Sequence, residues 1–142
     1  MTLAYFDTSA LLKLFIDEDG SGQAGAMWDA ADSVLTGRVA QPEARAALAA
    51  AARALRLTRS QHRAAKGELA RLWSDLHVIE LAPRIAELAG DLAERHALRG
   101  YDAVHLASAR EATGGDAVFV TWDRPLAAAA LSEGMAIAPP LG

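Results

Sequence analysis

Short apolar runs that alternate with helical patterns constrain this chain more than any other feature of its sequence. Leu3-Ala4-Tyr5-Phe6, Ser33-Val34-Leu35-Thr36, His77-Val78-Ile79-Glu80-Leu81 and Ala117-Val118-Phe119-Val120-Thr121 have the length and composition of strands. Between them the periodicity is helical, over residues 10–16, 20–31, 42–57, 60–76, 83–98, 101–112 and 125–133. Met135-Ala136-Ile137 reads as a last edge strand. Strands joined through helices run mostly parallel, and a parallel sheet needs cover on both faces. The expected fold is therefore α/β, a three-layer α/β/α sandwich with a mostly parallel central sheet. Thr8 or Ser9 is the expected N-cap of the first helix and Ser60 that of the fourth. Pro42 opens the third helix, where its missing N–H costs nothing.

A chain of 142 residues without linker, repeat or low-complexity tail fits one domain, 1–142. The absence of cysteine excludes a disulfide scaffold, a Cys-based zinc site and a thiol nucleophile. No stretch approaches the ~18 apolar residues of a membrane span, so no membrane partner is expected. The first residues lack a basic region and meet Asp7 early, which makes a cytoplasmic location the expectation. Net charge is −4, but it is unevenly spread. Residues 41–72 carry +5 and the remainder −9. Such asymmetry marks either a solvated helical face or a stripe that meets a polyanion.

Ligands in open α/β sheets bind beyond the carboxyl ends of the strands. Four acids lie there or at the helix starts that follow. Asp7 ends the first strand, Glu43 opens the helix after the second, Asp102 follows Gly100, and Asp123 lies just past Val120. Singly, Glu43 and Asp102 complement a helix dipole, and Asp123 suits a turn. Asp7, at the end of a buried strand, has little structural reason to be acidic. Together, four carboxylates at one rim repel one another, so at least one should titrate high in the metal-free protein. A hard divalent cation relieves that repulsion. Oxygen ligands with no Cys and no clustered His point to Mg²⁺, with Mn²⁺ as a substitute, rather than Zn²⁺.

Four motifs in order then carry a resemblance over essentially the whole chain. Tyr5-Phe6-Asp7-Thr8-Ser9-Ala10-Leu11-Leu12-Lys13 resembles the opening of a PIN domain. Pro42-Glu43-Ala44-Arg45, Gly100-Tyr101-Asp102-Ala103-Val104-His105-Leu106-Ala107 and Val120-Thr121-Trp122-Asp123-Arg124-Pro125-Leu126 are similar to its second, third and fourth motifs. The nearest group is the VapC-type toxins of bacterial type II toxin–antitoxin pairs. Ala40-Gln41-Pro42 departs from the pattern, since the family often carries Ser or Thr ahead of its Glu. The resemblance implies a Mg²⁺-dependent endoribonuclease, with RNA as substrate, a small antitoxin as partner and a homodimeric assembly. Residue by residue, Asp7, Asp102 and Asp123 would be ligands of a first metal, direct or through water. Glu43 would hold a second metal or orient the attacking water. Hydrolysis of a phosphodiester needs an activated water and neutralised charge, which metal ions supply.

Other residues gather around these motifs. The hydroxyls of Thr8, Ser9 and Thr121 are candidates to position the carboxylates. Arg45 and Arg124 are candidate phosphate contacts, although a surface salt bridge is the ordinary fate of each. His105 lies near the helix face of Asp102 and is read chiefly as a packing residue. Trp122, between two motif residues, is the best candidate among three tryptophans for stacking a base. The helices at 42–57 and 60–76 are expected to expose apolar and arginine surface to a second copy of the chain. Three alternatives compete. A housekeeping PIN-type RNA-processing nuclease and a catalytically silent PIN-like binding module share the fold. A phosphoryl-transfer domain of the haloacid-dehalogenase type needs Asp-x-Asp at the first strand, and position 9 here is Ser.

Overall fold

The structure, a computed structural model, describes residues 1–142. Five strands form one parallel sheet: β1 (Leu3–Phe6), β2 (Ser33–Gly37), β3 (His77–Ile79), β4 (Val118–Val120) and β5 (Ile137–Ala138). Their spatial order is β3-β2-β1-β4-β5, so the chain first builds outward from β1 on one side and then on the other. Seven helices complete the fold: α1 (Thr8–Leu12), α2 (Ser21–Ala30), α3 (Ala40–Arg53), α4 (Arg59–Trp73), α5 (Pro83–His96), α6 (Gly100–Thr113) and α7 (Arg124–Ser132).

Side chains alternate across a strand, and this assigns the two faces. Tyr5, Leu35 and Phe119 point to one side, into a core closed by α5, α6 and α7 through Leu92, Leu106 and Leu126. Ala4, Phe6, Val34 and Val120 point to the other, against Leu11 of α1, Ala24 of α2 and Ala40 of α3. Helices on both faces make the expected three layers. A third cluster, Ala44 and Leu48 of α3 with Ala65 and Leu69 of α4, holds those two helices together as a hairpin.

Several element ends differ from the sequence reading. The first helix is only Thr8–Leu12, and its N-cap is Asp7, whose carboxylate accepts from the Ala10 N–H, rather than Thr8 or Ser9. Thr58, not Ser60, caps α4, because Gln61 returns a bond to the Thr58 N–H and completes a capping box. Helix α3 begins two residues before Pro42 and stops at Arg53. The edge strand is Ile137–Ala138, shifted toward the C-terminus, where Phe119 N–H bonds Ala136 and Thr121 N–H bonds Ala138.

Candidate active site

Strand β1 lies at the point where the strand order reverses, with β2 on one side and β4 on the other. A crevice opens at such a point beyond the carboxyl ends of the strands. Asp7 stands there, its N–H bonded to the carbonyl of Val120 at 3.2 Å. Its carboxylate is 3% exposed. Oδ1 accepts from Ser9 Oγ at 2.7 Å and from the Ala10 N–H at 2.9 Å, and Oδ2 accepts from Thr121 Oγ1 at 2.5 Å. Burial pushes the Asp7 pKa above the ordinary carboxylate value, against the opposing pull of His105 and of these hydrogen bonds. The raised pKa matches the sequence expectation, but its cause does not. Loss of water, not a neighbouring carboxylate, is the reason, since no acid is among the groups that raise it.

Thr121 serves both β1 and β4. Its hydroxyl donates to Asp7 and accepts from the Asp123 N–H at 3.0 Å. Ser9 accepts the Trp122 N–H at 2.9 Å, so the turn after β4 is fastened to the turn after β1. Asp123 caps α7, with Oδ1 accepting from the Leu126 N–H at 3.0 Å. Asp7 and Asp123 thus both have the structural duty of a helix cap.

Glu43 reaches the rim from the first turn of α3 and lies among side chains of two other helices. It accepts from Thr8 Oγ1 at 2.6 Å and from His105 Nε2 at 2.8 Å. The Thr8 hydroxyl therefore supplies the contact that the residues just before Glu43 cannot. Burial alone would raise the Glu43 pKa, but the bonds from His105 and Thr8, aided by the charges of His105 and Arg99, hold it below the ordinary range. His105 is 1% exposed, and its Nδ1 meets the Tyr5 hydroxyl at 2.8 Å. Burial, and then the charge of Asp7, keeps Tyr5 protonated far above its ordinary pKa. In the neutral ring Tyr5 therefore donates to Nδ1, and the ring hydrogen sits on Nε2 facing Glu43. His105 is more than a packing residue: it links the interior of the domain to a rim carboxylate. Strand β2 makes room for this link at Gly37, where a Cβ would lie 2.8 Å from the Tyr5 hydroxyl.

Arg99, which the sequence reading passed over, binds two of the four acids. Its Nε donates to Asp102 Oδ2 at 2.8 Å, and its Nη2 lies 3.5 Å from Asp123 Oδ2. The guanidinium is itself stacked over Tyr101, 4.9 Å from the ring centre. The only available signal was an Arg three residues ahead of Asp102, a spacing that favours an ion pair at a helix start. Rather than four bare carboxylates, the rim holds a buried Asp7, a Glu43 tied to His105, and an Asp102–Arg99–Asp123 bridge. As placed, no three of the chain's Asp, Glu and His side chains are arranged to hold an ion together. The donor chemistry nonetheless suits a hard divalent cation. All donors are carboxylate oxygens, Asp7 has only neutral hydrogen-bond donors around it, and a cationic group already stands over Asp102 and Asp123.

One other expectation is corrected, the surface salt bridges foreseen for Arg45 and Arg124. Arg45 and Arg124 form no ion pair, and both are exposed. Arg124 borders the cleft beside Asp123, whereas Arg45 lies on the α3–α4 hairpin. Trp122 fastens a loop: a Cβ at Gly20, where φ is +94°, would lie 2.7 Å from its Nε1, and Lys13 Nζ lies 5.5 Å from its ring.

Comparison with known proteins gives a consistent picture. The family model described as PIN domain matches residues 4–135. The chain is similar to Ribonuclease VapC45 of Mycobacterium tuberculosis, 46% identical over 139 residues, covering 98% of this chain and 96% of that protein. Its fold is similar to that of PAE2754 from Pyrobaculum aerophilum, with a TM-score of 0.69, 27% identity, and coverage of 96% and 90% of the two chains. A toxin–antitoxin complex from Klebsiella pneumoniae contains a chain that shares the fold, with a TM-score of 0.57, 23% identity, and coverage of 83% and 84%.

Proposed function

The chain belongs to the PIN-domain family, on its VapC branch, and from that premise we propose that it is an endoribonuclease that needs Mg²⁺ and acts as the toxin of a toxin–antitoxin pair. The observation that carries this reading is Asp7. A carboxylate buried at the sheet's switch point, surrounded by neutral donors and pushed toward protonation by burial, is unfavourable in isolation and suited to a bound cation. Asp7, Asp102, Asp123 and Glu43 are the residues that would hold Mg²⁺, or Mn²⁺ in its place. The metal would supply Lewis-acid neutralisation of the scissile phosphate and a more acidic water.

The chain's own residues do the rest. Ser9 and Thr121 fix both Asp7 oxygens, so the carboxylate cannot rotate away from the rim. Thr8 and His105 fix Glu43 as an ionised acceptor, the state needed to orient an attacking water. Arg124, exposed beside Asp123 in the same cleft, would contact a phosphate of the RNA. The partners in this reading are RNA, a small antitoxin and a second copy of the chain, in the cytoplasm. The VapC relative's name and the toxin–antitoxin complex of the same fold support the pairing.

Purified protein should cleave RNA with Mg²⁺ or Mn²⁺ and stop with EDTA. Asp7→Asn, folded by circular dichroism, should leave no cleavage. Cleavage that persists in chelator, or full activity of the variant, would remove this site from the reaction.

A further inference from the structure

We infer that the outer face of the α3–α4 hairpin is a track for the RNA backbone that leads to Glu43. This rests on the ribonuclease reading and names the surface that would hold the substrate.

The ion-pair pattern marks this face. The chain has 14 Lys and Arg, and half of them are held by acids, as Lys13 is by Glu18 and Arg95 by Glu133. Six of the seven without an acidic partner are Arg45, Arg53, Arg56, Arg59, Arg63 and Lys66, all on α3, α4 or the turn between them, and all exposed. A solvated face in a protein of net charge −4 would be expected to share the abundant acids. Here the acids lie elsewhere, and the one acid on the α4 face, Glu68, is taken by Arg71.

These cations form two groups, one on each helix of the hairpin. Arg59, Arg63 and Lys66 recur along one side of α4 at separations of four and three residues, while Arg45 and Arg53 stand on α3 and Arg56 in the turn that joins the two helices. One cation of each group borders a common groove. Arg45 and Lys66 both line each of two adjoining clefts, one continued by Gln41 and Trp73, the other by Pro42 and His62. The second cleft, ≈ 370 Å³, has a floor of Ala46 and Ala49 and no large apolar side chain. A protein partner needs aromatic or aliphatic anchors to bury, which this second cleft does not provide, and the Leu69 and Trp73 of the first are already packed in or against the hairpin core. A phosphodiester chain needs spaced cations over a smooth floor, which it does. Gln41 in the first cleft and Pro42 in the second lie in the first turn of α3, the turn that carries Glu43, so the groove ends beside the rim.

The test uses Asp7→Asn protein, so that bound RNA stays intact, and a single-stranded RNA oligonucleotide. Binding is measured by fluorescence anisotropy across a salt series. A triple variant, Arg59→Gln, Arg63→Gln and Lys66→Gln, should bind more weakly. Its plot of log K against log salt should be shallower by about 2, since each lost phosphate contact removes about 0.7 from the slope for single strands. Arg84→Gln, on α5, should match the parent. An unchanged slope in the triple variant overturns the inference, as does displacement of RNA only by poly-glutamate and not by competitor RNA, which would mark a site for an acidic polypeptide. RNA cleavage by the wild type in Mg²⁺ is measured alongside. If the wild type does not cleave but the slope falls, the nuclease reading fails and the track stands. Cleavage with an unchanged slope does the reverse.

Discussion

The Asp7 carboxylate is buried among two hydroxyls and one backbone N–H, and its pKa is raised, chiefly by loss of water. A raised acid pKa in the folded state means that the fold binds a proton more tightly than the unfolded chain does. Its contribution to stability therefore falls as pH rises from the ordinary 3.8 through the higher folded value. Glu43 has the opposite sign, contributing stability above the ordinary 4.5 and losing it as pH falls through its lowered value. Thermal melts in EDTA from pH 4 to pH 7 should show Asp7→Asn gaining on the wild type as pH rises, while Asn retains an oxygen to cap α1. Parallel curves would mean that burial does not penalise the ionised Asp7. Arg99 gives a second expectation. It neutralises Asp102 and Asp123, so any metal must displace or share that guanidinium. Arg99→Gln should bind Mn²⁺ severalfold more tightly by calorimetry than the wild type, even though both ion pairs are exposed and individually weak. Weaker binding would instead assign Arg99 a supporting role in holding the two carboxylates in place.

Among the elements, the loops that bring them together carry as much of the site as the helices themselves. Helix α1 is a single turn, and the chain must reverse between it and α2. Gly20 makes that reversal in the left-handed region and lets the Trp122 ring approach closely. Gly20→Ala adds both backbone strain and a clash, and should cost about 1 kcal/mol or more in chemical denaturation. Filling of space without loss of stability would show that the Trp122 contact is loose. The hairpin offers a separate check on local structure. Thr58 and Gln61 satisfy one another's N–H groups at the start of α4. Thr58→Ala should cost about 1 kcal/mol while leaving RNA cleavage intact, because α4 keeps its contacts at Ala65 and Leu69. A null effect would mean that packing of the hairpin alone defines this end.

For the whole molecule, the question is assembly. The sequence suggested that α3 and α4 would present apolar and arginine surface to a second copy. The arginines are on the outer face, but the leucines that pack the hairpin, Leu48 and Leu69, face inward with Ala44 and Ala65. One exposed large apolar side chain, Leu55, is at the tip of the hairpin, and others lie away from it, among them Leu81, Tyr101 and Leu131. A homodimer remains our expectation on the strength of the family resemblance, with a contact that leaves the hairpin free. Light scattering should give twice the 14.9 kDa of one chain, and the charge-removing hairpin variant should not change it. A monomer at micromolar concentration would refute the dimer, and dissociation by the hairpin variant would place the contact on the basic face.

The amino-acid sequence by itself determined the layered fold and the placement of acids at the strand ends. Both are written in local pattern: runs of strand length, helical periodicity and the residue that follows each strand. Asp7 at the end of β1 and Asp123 at the start of α7 could be placed at the rim because chain direction in a parallel sheet fixes which end they occupy. Tertiary structure decided what those acids meet. His105 contacts Tyr5 across 100 residues of chain and Glu43 across 62. Thr121 meets Asp7 across 114. No local period carries such pairings, because they depend on the register of β4 beside β1 and on how α6 rotates over the sheet. The reach of Arg99 to Asp123 has the same origin, and it turned an expected cluster of repelling carboxylates into a rim already partly neutralised. The caps at Asp7 and Thr58 were missed for a smaller reason. Neighbouring Asp, Thr and Ser residues are all good caps, and only backbone direction at the entering residue selects between them.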